Sequence, residues 1–210
     1  MSPRKRTAKK PEPSGKVVAG DLRRRILPGD VPEPSIIRIL DAAHLAPSAA
    51  NLQPWVFLLV RDEATRRELA ALGSRPGGEP FRELFWRDEV ADPSGVFASC
   101  GAVVLVFGER KMPMWRESCW AAIARMDQAA LDEGLVAVVY EPPRAKELME
   151  FFGVPDVYLP VAVVALGRPD GTFPVAERKP LETVAMEHRR DGPNRPIGPS
   201  GPMEPAEPGA

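Results

Sequence analysis

Residues 31–60, VPEPSIIRILDAAHLAPSAANLQPWVFLLV, constrain this chain more than any other stretch. They join an amphipathic helix, an abrupt polar loop and a wholly apolar strand. Asp30 and Glu33 have capping-box spacing, and the prolines stand in a first turn where a missing N–H does no harm. Ile36, Ile37, Leu40 and Ala43 fall on one helical face. Pro47 disfavours helical geometry at Ala46, so the helix is expected to end there. Residues 56–60 form an uninterrupted apolar run of strand length, expected to be covered on both faces. The loop between helix and strand is polar and short-chained. It can offer backbone N–H groups, the Ser48 hydroxyl and the amides of Asn51 and Gln53 to a planar polar ligand. The plainer alternative is an ordinary helix–strand junction.

The rest of the chain repeats this interleaving. Strands are expected at 101–107 (GAVVLVF), 136–140 and 161–166 (VAVVAL), followed by a turn at 167–171. Helices are expected from an Asp62 cap through Leu72, over 81–86, over 115–133 with Gly134 as its stop, from Pro143 to Phe152, and over 178–188. Residues 89–95 read as irregular. Trp120, Ile123, Ala124, Ala130 and Leu131 make the 115–133 helix apolar enough to be central, and it can pack against its copy in a partner subunit. These elements argue a single α+β (α/β layered) domain, a central mixed sheet flanked by helices.

Composition narrows the function. The chain has 210 residues, 44% hydrophobic, with a formal net charge of -1, which suits one folded domain rather than a polyanion binder. Residues 1–16 are basic and 189–210 are rich in Pro and Gly; both are expected to be disordered tails around a folded 17–188. Nucleic acid and membrane are not expected partners. Cys100 and Cys119 are too few and too far apart for a metal cluster or disulfide framework, and both read as packed thiols. No metal is expected. With no signal-peptide pattern and no apolar run long enough for a bilayer, the expected compartment is the cytoplasm.

The loop Ala46-Pro47-Ser48-Ala49-Ala50-Asn51-Leu52-Gln53-Pro54-Trp55 resembles the APSxxNxQPW signature of the nitroreductase superfamily of flavin enzymes. Further segments match the family pattern in order: Arg23-Arg24-Arg25 ahead of Val31-Pro32, Gly134-Leu135 running into 136–140, Leu166-Gly167-Arg168-Pro169, and Arg178-Lys179-Pro180-Leu181-Glu182. The resemblance implies an FMN-dependent oxidoreductase that passes electrons from NAD(P)H to a small electron-poor acceptor. It implies a homodimer whose flavin site is shared between subunits. Arg23, Arg24, Arg25, Arg178 and Lys179 would meet the FMN phosphate, arginine bidentately. Pro47, Ser48, Ala49, Asn51 and Gln53 would meet the ribityl chain or ring edge. Val138 and Val139 would lie beside the ring with backbone groups facing it.

The residues also allow plainer readings. Arg23–Arg25 can be a solvated basic run, Arg178 and Lys179 a wet loop, and Val138 and Val139 plain core. The family start is Arg-Arg-Ser-x-Arg. Counting back from Val31 leaves only Arg24 matching its final arginine. Sliding the register aligns Arg23 and Arg24 with the first pair and puts Arg25 at the serine. No side-chain acid or base is expected, because the flavin carries the chemistry. The KMPM segment, 111–114, with Trp86 and Trp115, either covers the ring and selects flat acceptors or packs on its own domain. Other functional readings are a specialised relative (a dehydrogenase, a dehalogenase or a flavin-modifying enzyme) and a non-catalytic flavin-binding protein.

Overall fold

The computed structural model describes residues 26–73, 81–83, 93–142, 145–169 and 179–197. Strand β1 (Ile26–Leu27) leads into α1 (Glu33–His44), and a 3-10 turn (Ala49–Asn51) precedes β2 (Trp55–Val60). Then follow α2 (Glu63–Gly73), β3 (Arg82–Glu83), α3 (Pro93–Ser99), β4 (Ala102–Glu109), α4 (Trp115–Asp132), β5 (Val136–Glu141), α5 (Ala145–Phe152) and β6 (Tyr158–Pro169). A second compact unit, Val175–Ala210, carries α6 (Leu181–Val184) and a hairpin of β7 (Met186–Glu187) with β8 (Arg195–Pro196).

The α+β layering is as expected. The sheet runs β2-β4-β6-β5-β3, with β1 also paired to the end of β6. Every pairing among the described residues is antiparallel, which corrects the expected mixed sheet. The cause is one insertion. The connection from β4 through α4 to β5 does set two strands running the same way. The long β6 then lies between them, antiparallel to both, and takes ladder hydrogen bonds on each edge.

Two apolar layers flank this sheet. On one face Ile36, Ile39, Ile123 and Met126 of α1 and α4 pack on Val104, Val106, Val139 and Val164. On the other, Leu69, Phe97 and Leu148 of α2, α3 and α5 pack on Val103, Leu105, Val138 and Val163. Alternation along β4 and β5 therefore serves both layers. Each such side chain, buried fully, is worth about 1.5–3 kcal/mol.

Several local expectations change. The capping box at Asp30 and Glu33 does not form: α1 starts at Glu33, and Pro32 takes the cap position without a side-chain cap bond. Ile39 rather than Ile37 faces the core with Ile36 and Ala43, and Ile37 is 58% exposed. Strand β2 lies at the sheet edge, so Val56 and Leu59 are exposed instead of covered on both faces. Arg82 and Glu83 form a strand on β5 where a helix was expected, because the edge of β5 offers ladder partners that a short helix lacks. The helix α3 begins at Pro93, inside a stretch expected to be irregular; proline suits a first turn. Only Leu181–Val184 of the expected 178–188 helix is helical, since Ala185 turns extended and the chain enters the hairpin. The hairpin places Arg195–Pro196 in a strand within the 189–210 stretch, and the chain divides into compact units at Pro174 and Val175. The 1–16 tail lies outside the described residues.

Two other local expectations hold, the Asp62 cap and the Gly134 stop. Asp62 caps α2, accepting bonds from the Thr65 N–H at 2.7 Å and the Thr65 hydroxyl at 2.8 Å, which hold its carboxyl below the usual range. Helix α4 closes where Gly134 takes a φ of 69°, and the Leu135 N–H returns to the Ala130 carbonyl at 2.8 Å. Among the described residues no helix is long and apolar enough to cross a membrane, and no group of residues is arranged to hold a metal ion.

Candidate functional site

The loop after α1 is held under strain. Ala50, Asn51 and Gln53 have φ of 48°, 57° and 48°, in the left-handed region that ordinary side chains avoid. Asparagine tolerates this conformation, whereas alanine does so at a cost of about 1–2 kcal/mol. Such strain persists only where the surroundings over-determine it. Here they do. The Asn51 N–H donates to the Ser48 carbonyl at 3.0 Å and the Leu52 N–H to the Ala49 carbonyl at 3.0 Å. The Gln53 N–H donates to Ser48 Oγ at 3.0 Å, and the Ala49 N–H donates across to Ser118 Oγ of α4 at 3.2 Å. Beyond the loop, the Pro54 carbonyl accepts from the Glu109 N–H at 2.8 Å, tying it to the end of β4.

This corrects part of the sequence reading. The N–H groups of Ala49, Asn51, Leu52 and Gln53 are used inside the chain, so they are not what the loop offers a ligand. What it offers is side chains. Asn51 and Gln53 are exposed and Ser48 is half-buried, its Oγ already accepting one bond and keeping a proton to donate. The Gln53 amide lies 3.3 Å from Asn51 Oδ1, so the two carboxamides stand side by side. Pro47 is exposed beside them. This donor and acceptor set, short and projecting from a fixed backbone, fits the polar edge of a flat heterocycle.

Val138 and Val139 are not gathered here. Val138 and Val139 are each 1% exposed, and their side chains point into opposite core layers, as the plain-core reading has it. Only their backbone can meet a ligand. Among the described residues β3 covers that edge of β5 at Tyr140 and Glu141 alone. The register also separates them from the loop. Val139 aligns with Val164, Val104 and Leu59, three strands across and four residues along from Trp55, a distance of roughly 20 Å. Lys179 belongs to the second unit. Arg23, Arg24, Arg25, Arg178 and Trp86 lie outside the described residues.

His44 is exposed at the end of α1. Both cysteines are buried, as expected of packed thiols; burial pushes Cys100 up to about 11 and Cys119 up to about 12. Met114, at φ 50°, is 62% exposed, while Trp115 packs against the chain's own core.

Two features were not read from the sequence. Ser118 is 5% exposed on the inner side of α4, and its hydroxyl donates to the Met114 carbonyl at 2.8 Å while accepting from Ala49. A serine on the buried face of a helix one turn from its start is the available signal. The second is Glu133, which follows α4 and receives Arg38 of α1. A concavity of about 420 Å³ lies beside it, between Leu27, Pro32, Ser35, Leu135 and Arg168. It gathers the Val31-Pro32, Gly134-Leu135 and Arg168-Pro169 segments of the sequence pattern at the sheet end away from the loop.

Known proteins resemble this chain in sequence and fold. Residues 24–168 match the model of the nitroreductase family. The chain is 28% identical to an iodotyrosine deiodinase of Thermotoga neapolitana over 158 residues, covering 72% of this chain and 85% of the relative. It is 32% identical to an NADH dehydrogenase of Thermus thermophilus over 191 residues, covering 78% and 89%. Among solved structures, oxidized iodotyrosine deiodinase bound to FMN and 3-iodo-L-tyrosine superposes with a TM-score of 0.60 at 27% identity, covering 74% of this chain and 89% of that one. An FMN-dependent nitroreductase of Clostridium difficile, at 20% identity and a TM-score of 0.60 over 76% and 91%, shares the fold. The chain belongs to the nitroreductase family and is an FMN-dependent oxidoreductase.

Proposed function

We propose that the protein takes electrons from NAD(P)H and passes them, through FMN held in a site shared between two subunits, to a small electron-poor acceptor such as a nitro compound or quinone. The observation that carries the shared site is the separation of roughly 20 Å between the strained loop and the outer edge of β5 in one chain. One flavin ring cannot touch both from the same subunit. A second copy supplies the loop. Bound FMN supplies the redox chemistry. The chain's own residues bind and orient it. Ser48, Asn51 and Gln53 meet its polar edge or ribityl chain from one subunit. The backbone at Val138 and Val139 lies beside the ring from the other. Arg24, Arg178 and Lys179 pair with the phosphate. Exposed Met114, whose carbonyl is linked through Ser118 to the loop, favours flat apolar acceptors.

A second reading is reductive dehalogenation of an iodinated phenol. The similarity to an iodotyrosine deiodinase, in sequence and in a solved structure with 3-iodo-L-tyrosine, favours it. Purified protein should be yellow or turn yellow with FMN, and should be bleached anaerobically by NADH or NADPH. Reoxidation by a quinone or nitroarene supports the first reading. Indifference to both nicotinamides, with reoxidation of dithionite-reduced protein by 3-iodo-L-tyrosine, supports the second. Monomer mass by light scattering with FMN bound would remove the shared site.

A further inference from the structure

We propose that Ser118 is the positioning residue of the cofactor-facing loop: its hydroxyl joins Ala49 to Met114 and so holds the loop in its ligand-presenting form before any flavin arrives. The inference rests on the reading that this loop meets FMN.

The geometry is a three-point tie. Ser118 Oγ accepts from the Ala49 N–H at 3.2 Å and donates to the Met114 carbonyl at 2.8 Å, while the Ser118 N–H reaches the same carbonyl at 3.0 Å. Each end of the tie is strained. Ala49 opens the turn in which Ala50 stands at φ 48°, and Met114 itself stands at φ 50° as the residue before α4. Left alone, both segments would relax toward right-handed or extended backbone. One buried hydroxyl opposes relaxation at both ends. Ser118 is 5% exposed, so water does not readily replace it, and without it the Ala49 N–H loses its partner. The alternative for that N–H is a rearranged loop in which Ser48, Asn51 and Gln53 no longer project together. Affinity then falls in proportion to the fraction of protein still holding the competent loop.

The tie passes through one N–H, which makes it separable. Ser48 has φ -135° and ψ 156°, the backbone that a following proline prefers, and Ala49 is the first residue of the 3-10 turn. Ala49→Pro therefore removes the donor, and its ring Cδ stands where the hydrogen faced Ser118 Oγ, a crowded contact that Ser118→Ala relieves.

The experiment titrates FMN against the full-length parent, Ser118→Ala, Ala49→Pro, the double variant and Asn51→Ala, with visible circular dichroism of the flavin at saturation. Ser118→Ala should weaken FMN about tenfold and change the circular dichroism of the bound flavin, which a loss of global stability alone would not do. In the Ala49→Pro background the same Ser118→Ala change should cost less than about twofold, because the N–H it served is gone. If Asn51→Ala weakens FMN but Ser118→Ala does not, the positioning role is wrong while the loop still meets flavin. If Ser118→Ala costs the full tenfold in both backgrounds, its hydroxyl acts elsewhere and the proposal falls. If neither Asn51→Ala nor Ser118→Ala alters FMN binding, the loop itself is not the flavin contact, and both readings fall together.

Discussion

Arg38 of α1 and Glu133 at the end of α4 meet as a fork: Arg38 Nε lies 2.6 Å from Glu133 Oε1 and Nη2 lies 2.6 Å from Oε2. The guanidinium, joined by a bond from Ser35, holds the Glu133 carboxyl down to about 2. The pair clasps the two helices that cover one face of the sheet, beside the concavity at the sheet end opposite the strained loop.

This fork predicts a defined acid sensitivity. A carboxyl whose folded pKa is depressed stabilises the fold above its ordinary value near 4.5, and that contribution is lost as pH falls toward 2. Glu133→Gln should therefore flatten the fall of melting temperature between about pH 4.5 and pH 2. Salt should narrow the difference between parent and variant, since Arg38 is exposed. Parallel pH profiles for the two proteins would remove the assignment.

Gly108 should resist enlargement. A Cβ there would lie 2.4 Å from Cε3 of the Trp115 ring and 2.9 Å from Cys119 Sγ. Gly108 is also the register partner of Trp55, so the strand cannot shift without moving the loop. Gly108→Ala should cost about 1–3 kcal/mol, the usual price of overpacking. Urea denaturation with an unchanged midpoint would show that Trp115 moves aside freely.

The two thiols should be silent in the folded protein. Burial lifts both far above neutral pH, so the reactive thiolate is scarce as well as covered. At pH 8 a disulfide reagent should label neither cysteine within minutes, and both once guanidinium unfolds the chain. Rapid native labelling of either one would contradict the packing around it.

The phosphate contacts can be tested without placing them. If Arg178 and Arg24 pair with the FMN phosphate, each makes a charged hydrogen bond that riboflavin cannot receive. Either substitution to alanine should weaken FMN by about tenfold to a hundredfold, from the loss of about 1.5–3 kcal/mol, and leave riboflavin nearly unchanged. Lysine at 178 should recover only part, having lost the planar fork. Fluorescence quenching titrations with both flavins measure this, and equal losses for the two would point away from the phosphate.

Much of this was legible in the chain itself. Apolar runs at 102–107, 136–140 and 161–166 are strands because nothing in them tolerates water, and Gly134 stops α4 because only a left-handed residue closes that helix cheaply. The helix–loop–strand order around Pro47 follows from local sterics and periodicity, and the short polar residues there make the loop a candidate site. Local signals failed where a partner distant in sequence decided the outcome. Arg82 and Glu83 became a strand because β5 had an open edge, and the sheet became antiparallel because β6 slid between β4 and β5. The N–H groups of Ala49, Asn51, Leu52 and Gln53 were taken up by Ser48, Ala49 and Ser118, the last of them 69 residues from Ala49. Arg38 and Glu133, 95 residues apart, form a pair that no spacing rule contains. Composition and periodicity act within a few turns of chain, and so they determined which segments are helix, strand or loop. Hydrogen-bond satisfaction and close packing act across the whole body, and they alone decided which of those segments' polar groups remain available to a ligand.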